Sequence, residues 1–231
     1  MLHKVKGLLP TKFKTFVKKF RKYNAYNNLD KKMLKYLNYK NGFFFDIGAN
    51  DGVNQSTTWY FEKVLNWRGI LVEPLPHVYY ELIKNRSVEN YFHNCAAVSK
   101  DYKNKNINLL YTDDTLTTKF QILENVNEKK NKKIISVKTQ TVENILEQSI
   151  PENKIIDFFS LDVEGAEFEV LNGINYKKNS IKFILIETSN FKKLESFLLK
   201  KNFRFISRLS NYNLTELPDY GDYLFKNKKY S

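Results

Sequence analysis

Carboxylates recur at the ends of short apolar runs in this chain. Phe43-Phe44-Phe45 runs into Asp46 and then Ile47-Gly48-Ala49-Asn50-Asp51-Gly52. Ile70-Leu71-Val72 stops on Glu73-Pro74, and the run from Ile155 to Leu161 ends in Asp162, Glu164 and Glu167. Acids of this kind attract cations, accept hydrogen bonds from hydroxyls or take up a proton. Gly48 and Gly52 let the backbone turn tightly and approach a ligand, since neither carries a Cβ. Glu73 follows Gly52 by 21 positions, near the roughly 20-residue interval at which a second-strand acid reaches a ribose diol. The combination predicts a ligand containing a nucleoside, against the plainer reading of a structural strand-to-helix turn.

The kind of nucleoside follows from what departs from the dinucleotide pattern. Asn50 stands where that pattern has its second glycine, which lets a pyrophosphate approach the backbone. Asp46 adds a negative charge before the turn, poor for a diphosphate and good for the sulfonium and amino group of S-adenosylmethionine. At the third run, Asp162 and Glu164 repel each other and raise each other's pKa unless a cation or proton joins them. Glu167 fits a plainer duty, stabilising a helix N-terminus through its dipole. Three histidines are present: His3 in a basic segment, His93 inside an expected strand, and His77 after the Glu73-Pro74 turn. None is a strong base candidate, so a carboxylate or a metal-bound alkoxide is expected to handle the proton. Asp162 is placed closest to the chemistry, as general base or metal ligand, with Glu164 supporting it and Glu187 approaching from the next strand end. Oxygen ligands of this kind suit Mg²⁺ or Mn²⁺. The same acids equally suit a polyol, whose hydroxyls need fixed acceptors.

These residues need strands to carry them. Three phenylalanines in a row read as a strand buried on both faces, as in the middle of a parallel sheet. Alternating segments then predict an α/β protein: helices over Asn54 to Leu65, Pro76 to Lys84 and Phe191 to Lys200, a third strand within Tyr91 to Val98, and strands over Ile107 to Tyr111 and Ile134 to Thr139. Thr141 is a candidate cap for a helix through Leu146. Phe168 to Leu171 reads as a helical run that Gly173 ends. Phe203 to Arg208 and Tyr223 to Lys226 are expected to close the sheet as a pair. Asn125 to Lys133 reads as an exposed loop. Thr112 to Thr118, rich in polar groups, either meets the ligands or is an ordinary turn.

Here the chain resembles a known family, the FkbM-type S-adenosylmethionine-dependent methyltransferases. The resemblance rests on Asp46 to Gly52, Val72-Glu73-Pro74, Ala96-Ala97-Val98-Ser99, Leu161 to Glu167 and Ile184-Leu185-Ile186-Glu187, covering about Asn41 to Glu187. It implies a class I methyltransferase (Rossmann-like) fold, a mostly parallel sheet of about seven strands with helices on both faces and an antiparallel C-terminal strand. It also implies O-methylation of a sugar hydroxyl or a small natural product, the sugar belonging to a surface polysaccharide or linked to a nucleotide. Asp46, Gly48, Ala49, Asn50, Gly52, Glu73, Pro74, Ala96 and Ala97 would then hold the donor, S-adenosylmethionine.

Composition bounds the rest. A chain of 231 residues can bury a substantial α/β core, expected here as a domain over 41–231 behind a basic, amphipathic extension over 1–40. The single cysteine, Cys95, excludes an intramolecular disulfide, and no apolar run is long enough for a membrane span. A cytoplasmic setting is the default expectation. Net charge is +13, and residues 1–29 hold no acid. Within that segment Leu9, Phe13, Phe16, Val17 and Phe20 fall at helical spacing under a lysine-rich face. This pattern fits peripheral contact with the inner face of a membrane, or docking on the chain's own domain or on a second copy. An RNA-directed methyltransferase would explain the charge, but base amino groups are methylated beside an Asn/Asp-Pro-Pro-aromatic turn, and Asp162-Val163-Glu164-Gly165 stands here instead. No specific nucleic acid is therefore expected. A non-catalytic interaction protein on the same scaffold is the other alternative.

Overall fold

The computed structural model describes residues 22–111, 118–119, 133–150, 154–210, 212 and 218–230. The apolar stripe Leu9 to Phe20, the polar segment 112–117 and nearly all of the lysine-rich stretch 125–133 lie outside the described residues.

In chain order the elements are α1 (Leu29–Met33), β1 (Phe43–Ile47), α2 (Trp59–Leu65), β2 (Arg68–Val72), α3 (Pro76–Asn85), β3 (Tyr91–His93), β4 (Ala96–Val98), β5 (Asn106–Tyr111), β6 (Thr118–Lys119), β7 (Lys133–Thr141), α4 (Val142–Ser149), β8 (Ile156–Leu161), α5 (Glu167–Asn172), β9 (Ile181–Thr188), α6 (Phe191–Lys200), β10 (Phe203–Arg208) and β11 (Gly221–Asn227). Short 3₁₀ turns precede α1 and follow β11. The main sheet has seven strands in the order β10-β11-β9-β8-β1-β2-β3. Neighbours from β9 to β3 pair in parallel, and β11 runs antiparallel to both β9 and β10. This is the class I methyltransferase arrangement expected from the sequence.

Strand β1 lies centrally, which is why its apolar run does not alternate. Phe43, Phe45 and Ile47 pack into a core with Val142, Ile145 and Leu146 of α4, Val170 and Leu171 of α5, and Leu194 and Leu198 of α6. Phe44 faces the other layer, with Leu29 and Met33 of α1, Tyr60, Phe61 and Leu65 of α2, and Leu82 of α3. Burying an aromatic such as Phe44 or Phe45 contributes about 1.5–3 kcal/mol relative to leaving it in water. Thr141 caps α4 by accepting from the Asn144 amide, as its position suggested. Residues of the 1–40 segment that the structure describes also enter the core, since Leu29, Met33 and Leu37 are buried there.

Two expectations change in detail. The run Tyr91 to Val98 is divided: β3 pairs with β2, whereas β4 pairs with β7 in a second, four-stranded sheet of order β4-β7-β5-β6. At the corner between the two strands the Asn94 side chain donates to the carbonyls of Glu73 and Pro74, fastening the turn to the end of β2. The first long helix starts at Trp59 rather than near Asn54. Side chains compete for the backbone there: Asp51 accepts from the Val53 and Asn54 amides, and Ser56 accepts from the Trp59 amide.

Candidate active site

The carboxyl ends of β1, β2, β8 and β9 lie along one edge of the parallel sheet, where ligands bind in open α/β folds. Gly48 sits at φ 86°, and a Cβ built there would lie 1.8 Å from the Asp162 carbonyl oxygen. The turns after β1 and β8 therefore approach so closely that only glycine fits. The Asp162 amide completes the contact by donating to the Ile47 carbonyl at 3.1 Å.

Glu73 ties the first turn to β2. One carboxylate oxygen accepts from the Asn50 amide at 3.0 Å and the other from the Leu75 amide at 2.9 Å. Each oxygen keeps a lone pair for a further donor, which a cis diol could supply. Burial pushes its carboxyl up to about 7, with the charges of Asp46 and Asp51 adding to the rise and the two amide bonds opposing it. A positively charged donor would relieve this crowding of acids, so the residues present fit S-adenosylmethionine.

Asp46 is buried and accepts from the Thr58 hydroxyl at 2.6 Å. Burial raises its pKa, while the Thr58 bond and the Arg86 charge act the other way. Arg86 is the hub of this region. Its Nη1 donates to the Gly52 carbonyl at 3.2 Å and to the hydroxyls of Ser56 and Thr58, and its Nε donates to Glu62 at 2.6 Å.

The acid cluster stands beside this turn. Carboxylate oxygens of Asp162, Glu164 and Glu187 lie within 4.8 Å of one another. Glu164 and Gly165 both adopt left-handed backbone, at φ 51° and 112°, which turns the chain back, and Glu167 locks that turn by accepting from the Gly165 amide at 2.7 Å. Asp162 is solvent-exposed, yet the surrounding protein and then the charges of Glu187, Glu164, Asp222 and Asp46 hold its carboxyl well above the ordinary range.

Glu187 ends β9 opposite Asp222 of β11. It accepts from the Tyr212 hydroxyl at 2.7 Å and from the Tyr220 hydroxyl. Tyr212 also donates to Asp222 at 3.0 Å, and Ser210 donates to the same carboxylate. Burial pushes Asp222 up to about 6, with Glu187 adding to the rise. Burial and these carboxylates push both phenols above the ordinary tyrosine range, so they remain protonated donors.

The methyltransferase FkbM domain profile matches residues 46–205. The chain belongs to that family. The FkbM domain is a methyltransferase, and membership implies S-adenosylmethionine as its methyl donor. Among solved structures, precorrin-6y C5,15-methyltransferase from Geobacter metallireducens is similar at 11% identity and a TM-score of 0.44, over 86% of this chain and 85% of that one. No curated protein matches.

Within the FkbM domain, the structure brings Asp46, Gly48, Ala49, Asn50, Gly52 and Glu73 to one corner, and Asp162, Glu164 and Glu187 to the adjoining one. Pro74 joins the first group through its carbonyl, which accepts from Asn94 at 3.1 Å. Ala96 and Ala97 are buried in β4, Ala96 among Leu75, Ile107 and Val137 and Ala97 in the main core. His93 is held between Gln140 and Ser149, at 3.3 and 2.7 Å, and the His77 ring stands 5.5 Å from that of Tyr111. Sequence reasoning missed Arg86, Tyr212, Tyr220 and Asp222. Arg86 ends an amphipathic helix and reads as a surface residue. The other three lie beyond the matched span, where only the density of tyrosine and aspartate in Asp219-Tyr220-Gly221-Asp222-Tyr223 was a signal.

Proposed function

We propose that this methyltransferase transfers the methyl group of S-adenosylmethionine to a hydroxyl of a sugar, in a surface polysaccharide or linked to a nucleotide, or of a small natural product. The observation that carries this reading is the contact of Gly48 with the Asp162 carbonyl, which sets a donor turn directly against a cluster of carboxylates. The donor supplies an electrophilic methyl group on a sulfonium. Glu73 accepts the ribose hydroxyls, and the Gly48 to Gly52 turn lets the backbone come close. With the donor bound, Asp162 would take the proton of the acceptor hydroxyl as the methyl group passes to its oxygen and the donor leaves as the neutral thioether. Burial and the neighbouring acids raise the affinity of Asp162 for a proton, which supports that role. Glu164 and Glu187 accept neighbouring hydroxyls and hold the acceptor in line.

A divalent ion is the second reading, favoured by the 4.8 Å grouping of Asp162, Glu164 and Glu187. Mg²⁺ or Mn²⁺ there would lower the acceptor hydroxyl's pKa. Mass spectrometry of the purified protein incubated with isotope-labelled donor and a panel of glycan fragments, sugar nucleotides, small hydroxylated compounds, small amines and RNA tests the reaction. Label in a sugar hydroxyl is expected; label only in RNA or in amino groups overturns the reading. Loss of turnover with EDTA, restored by Mg²⁺ or Mn²⁺, would select the metal form.

A further inference from the structure

Outward from Glu187 stand three aromatic rings that the reaction outlined above does not use. The rings of Tyr212 and Tyr220 lie 4.8 Å apart, and Tyr26 stacks on Tyr212 at 5.6 Å with only 5° between the planes. Tyr26 belongs to the segment before α1, yet it reaches the carboxyl end of β9 on the far side of the sequence. That placement is costly. Asn27 and Asn28, which follow it, both occupy left-handed backbone at φ 49° and 55°. Asn24 is buried with neither polar atom of its side chain hydrogen-bonded among the described residues. Strain and unsatisfied groups of this sort cluster where a ligand is held. The segment is also tied to the donor loop by a bridge between Ala25 and Gln55. Tyr26 nevertheless remains 50% exposed, so packing alone does not use its ring.

We propose that Tyr26, held by its stack on Tyr212 and through it beside Tyr220, presents its outer ring face as the acceptor platform, receiving the apolar face of an uncharged sugar ring while the adjacent carboxylates accept its hydroxyls. This rests on the sugar O-methylation proposed above. A sugar ring offers C–H groups on one face and hydroxyls around its edge, and aromatic rings beside fixed acceptors match both. Charge adds a selection. Carboxylate oxygens of Asp162, Glu164 and Glu187 lie within 4.8 Å of one another, Asp222 stands opposite Glu187 across the β9–β11 pair, and Tyr212 donates to both Glu187 and Asp222. A uronic acid or a phosphorylated ring would bring another negative charge into that field. The ring that receives the methyl group is therefore neutral.

The test measures methyl transfer by wild-type protein, Tyr26→Ala and Tyr26→Trp to the best sugar acceptor and to its uronic acid counterpart, with donor affinity by calorimetry and melting temperature alongside. The platform predicts that Tyr26→Ala raises the acceptor KM about 3–10-fold. Donor affinity and melting temperature stay unchanged, and Tyr26→Trp restores the KM. It also predicts that the uronic acid is a much poorer acceptor than the neutral sugar. An unchanged KM in Tyr26→Ala, or equal use of the uronic acid, overturns the platform while leaving sugar methylation standing. A joint fall of donor affinity, melting temperature and turnover assigns Tyr26 to structure and also overturns it. Wild-type protein that labels no sugar at all removes the underlying reading, and the platform with it.

Discussion

Glu73 closes the turn after β1 through the Asn50 and Leu75 amides, and its proposed second duty is to accept the donor's ribose hydroxyls. Its carboxyl rises from 4.5 to about 7 on folding, so between those values the folded protein binds more protons than the unfolded chain. The Glu73 contribution to stability is therefore fully present below about pH 4.5 and is lost as pH rises through about 7. The Glu73 share between about pH 5 and about pH 7.5 is about 2 kcal/mol. Denaturant unfolding of donor-free protein should show this fall, flattened in Glu73→Gln, which should also weaken donor binding. A Glu73→Gln profile parallel to wild type would contradict it. Asp162→Asn keeps the shape of the turn and removes the proton acceptor. Turnover should drop by at least about 100-fold with the donor dissociation constant within about threefold by calorimetry; retained turnover would take Asp162 out of the reaction.

Among the elements, α3 has a part that its amphipathic pattern conceals. Arg86 follows its last residue and joins α2, through Glu62, to the carbonyl of Gly52 in the donor turn. The Arg86 and Glu62 side chains are 0% and 4% exposed, so removing one partner leaves a buried charge unanswered. Arg86→Met should destabilise the protein by about 3–5 kcal/mol, read from denaturant unfolding, and weaken the donor through the loosened turn. A loss below about 1 kcal/mol would mean that water replaces the guanidinium. The helix bounds show the same physics. Asp51, Ser56 and Thr58 reach backbone or buried acid before a helix can start, and no hydrophobic period reports that competition. The division of β3 from β4 was equally hidden, since Asn94 acts through contacts 20 and 21 residues away in sequence.

For the whole molecule, the net charge is +13, and residues 1–29 hold no acid. No helix among the described residues is long and apolar enough to cross a membrane. We propose peripheral attachment to anionic membrane through the basic N-terminal segment. Cosedimentation with phosphatidylserine vesicles should be strong at low salt and lost near 0.5 M, on the order of a Debye length below 5 Å. Deleting residues 1–21 should abolish it, and undiminished binding by the truncated chain would refute this segment as the anchor. The sequence by itself determined the parallel core, the glycine turn and the acids at Asp46, Glu73, Asp162 and Glu187, because buried central strands are continuously apolar and whatever follows them falls at one edge of the sheet. Only tertiary structure decided that Arg86 is internal, that Asp222 faces Glu187, and that Tyr26 joins Tyr212 and Tyr220. Those contacts depend on antiparallel register and on a segment folded back across the sheet, which local pattern does not encode.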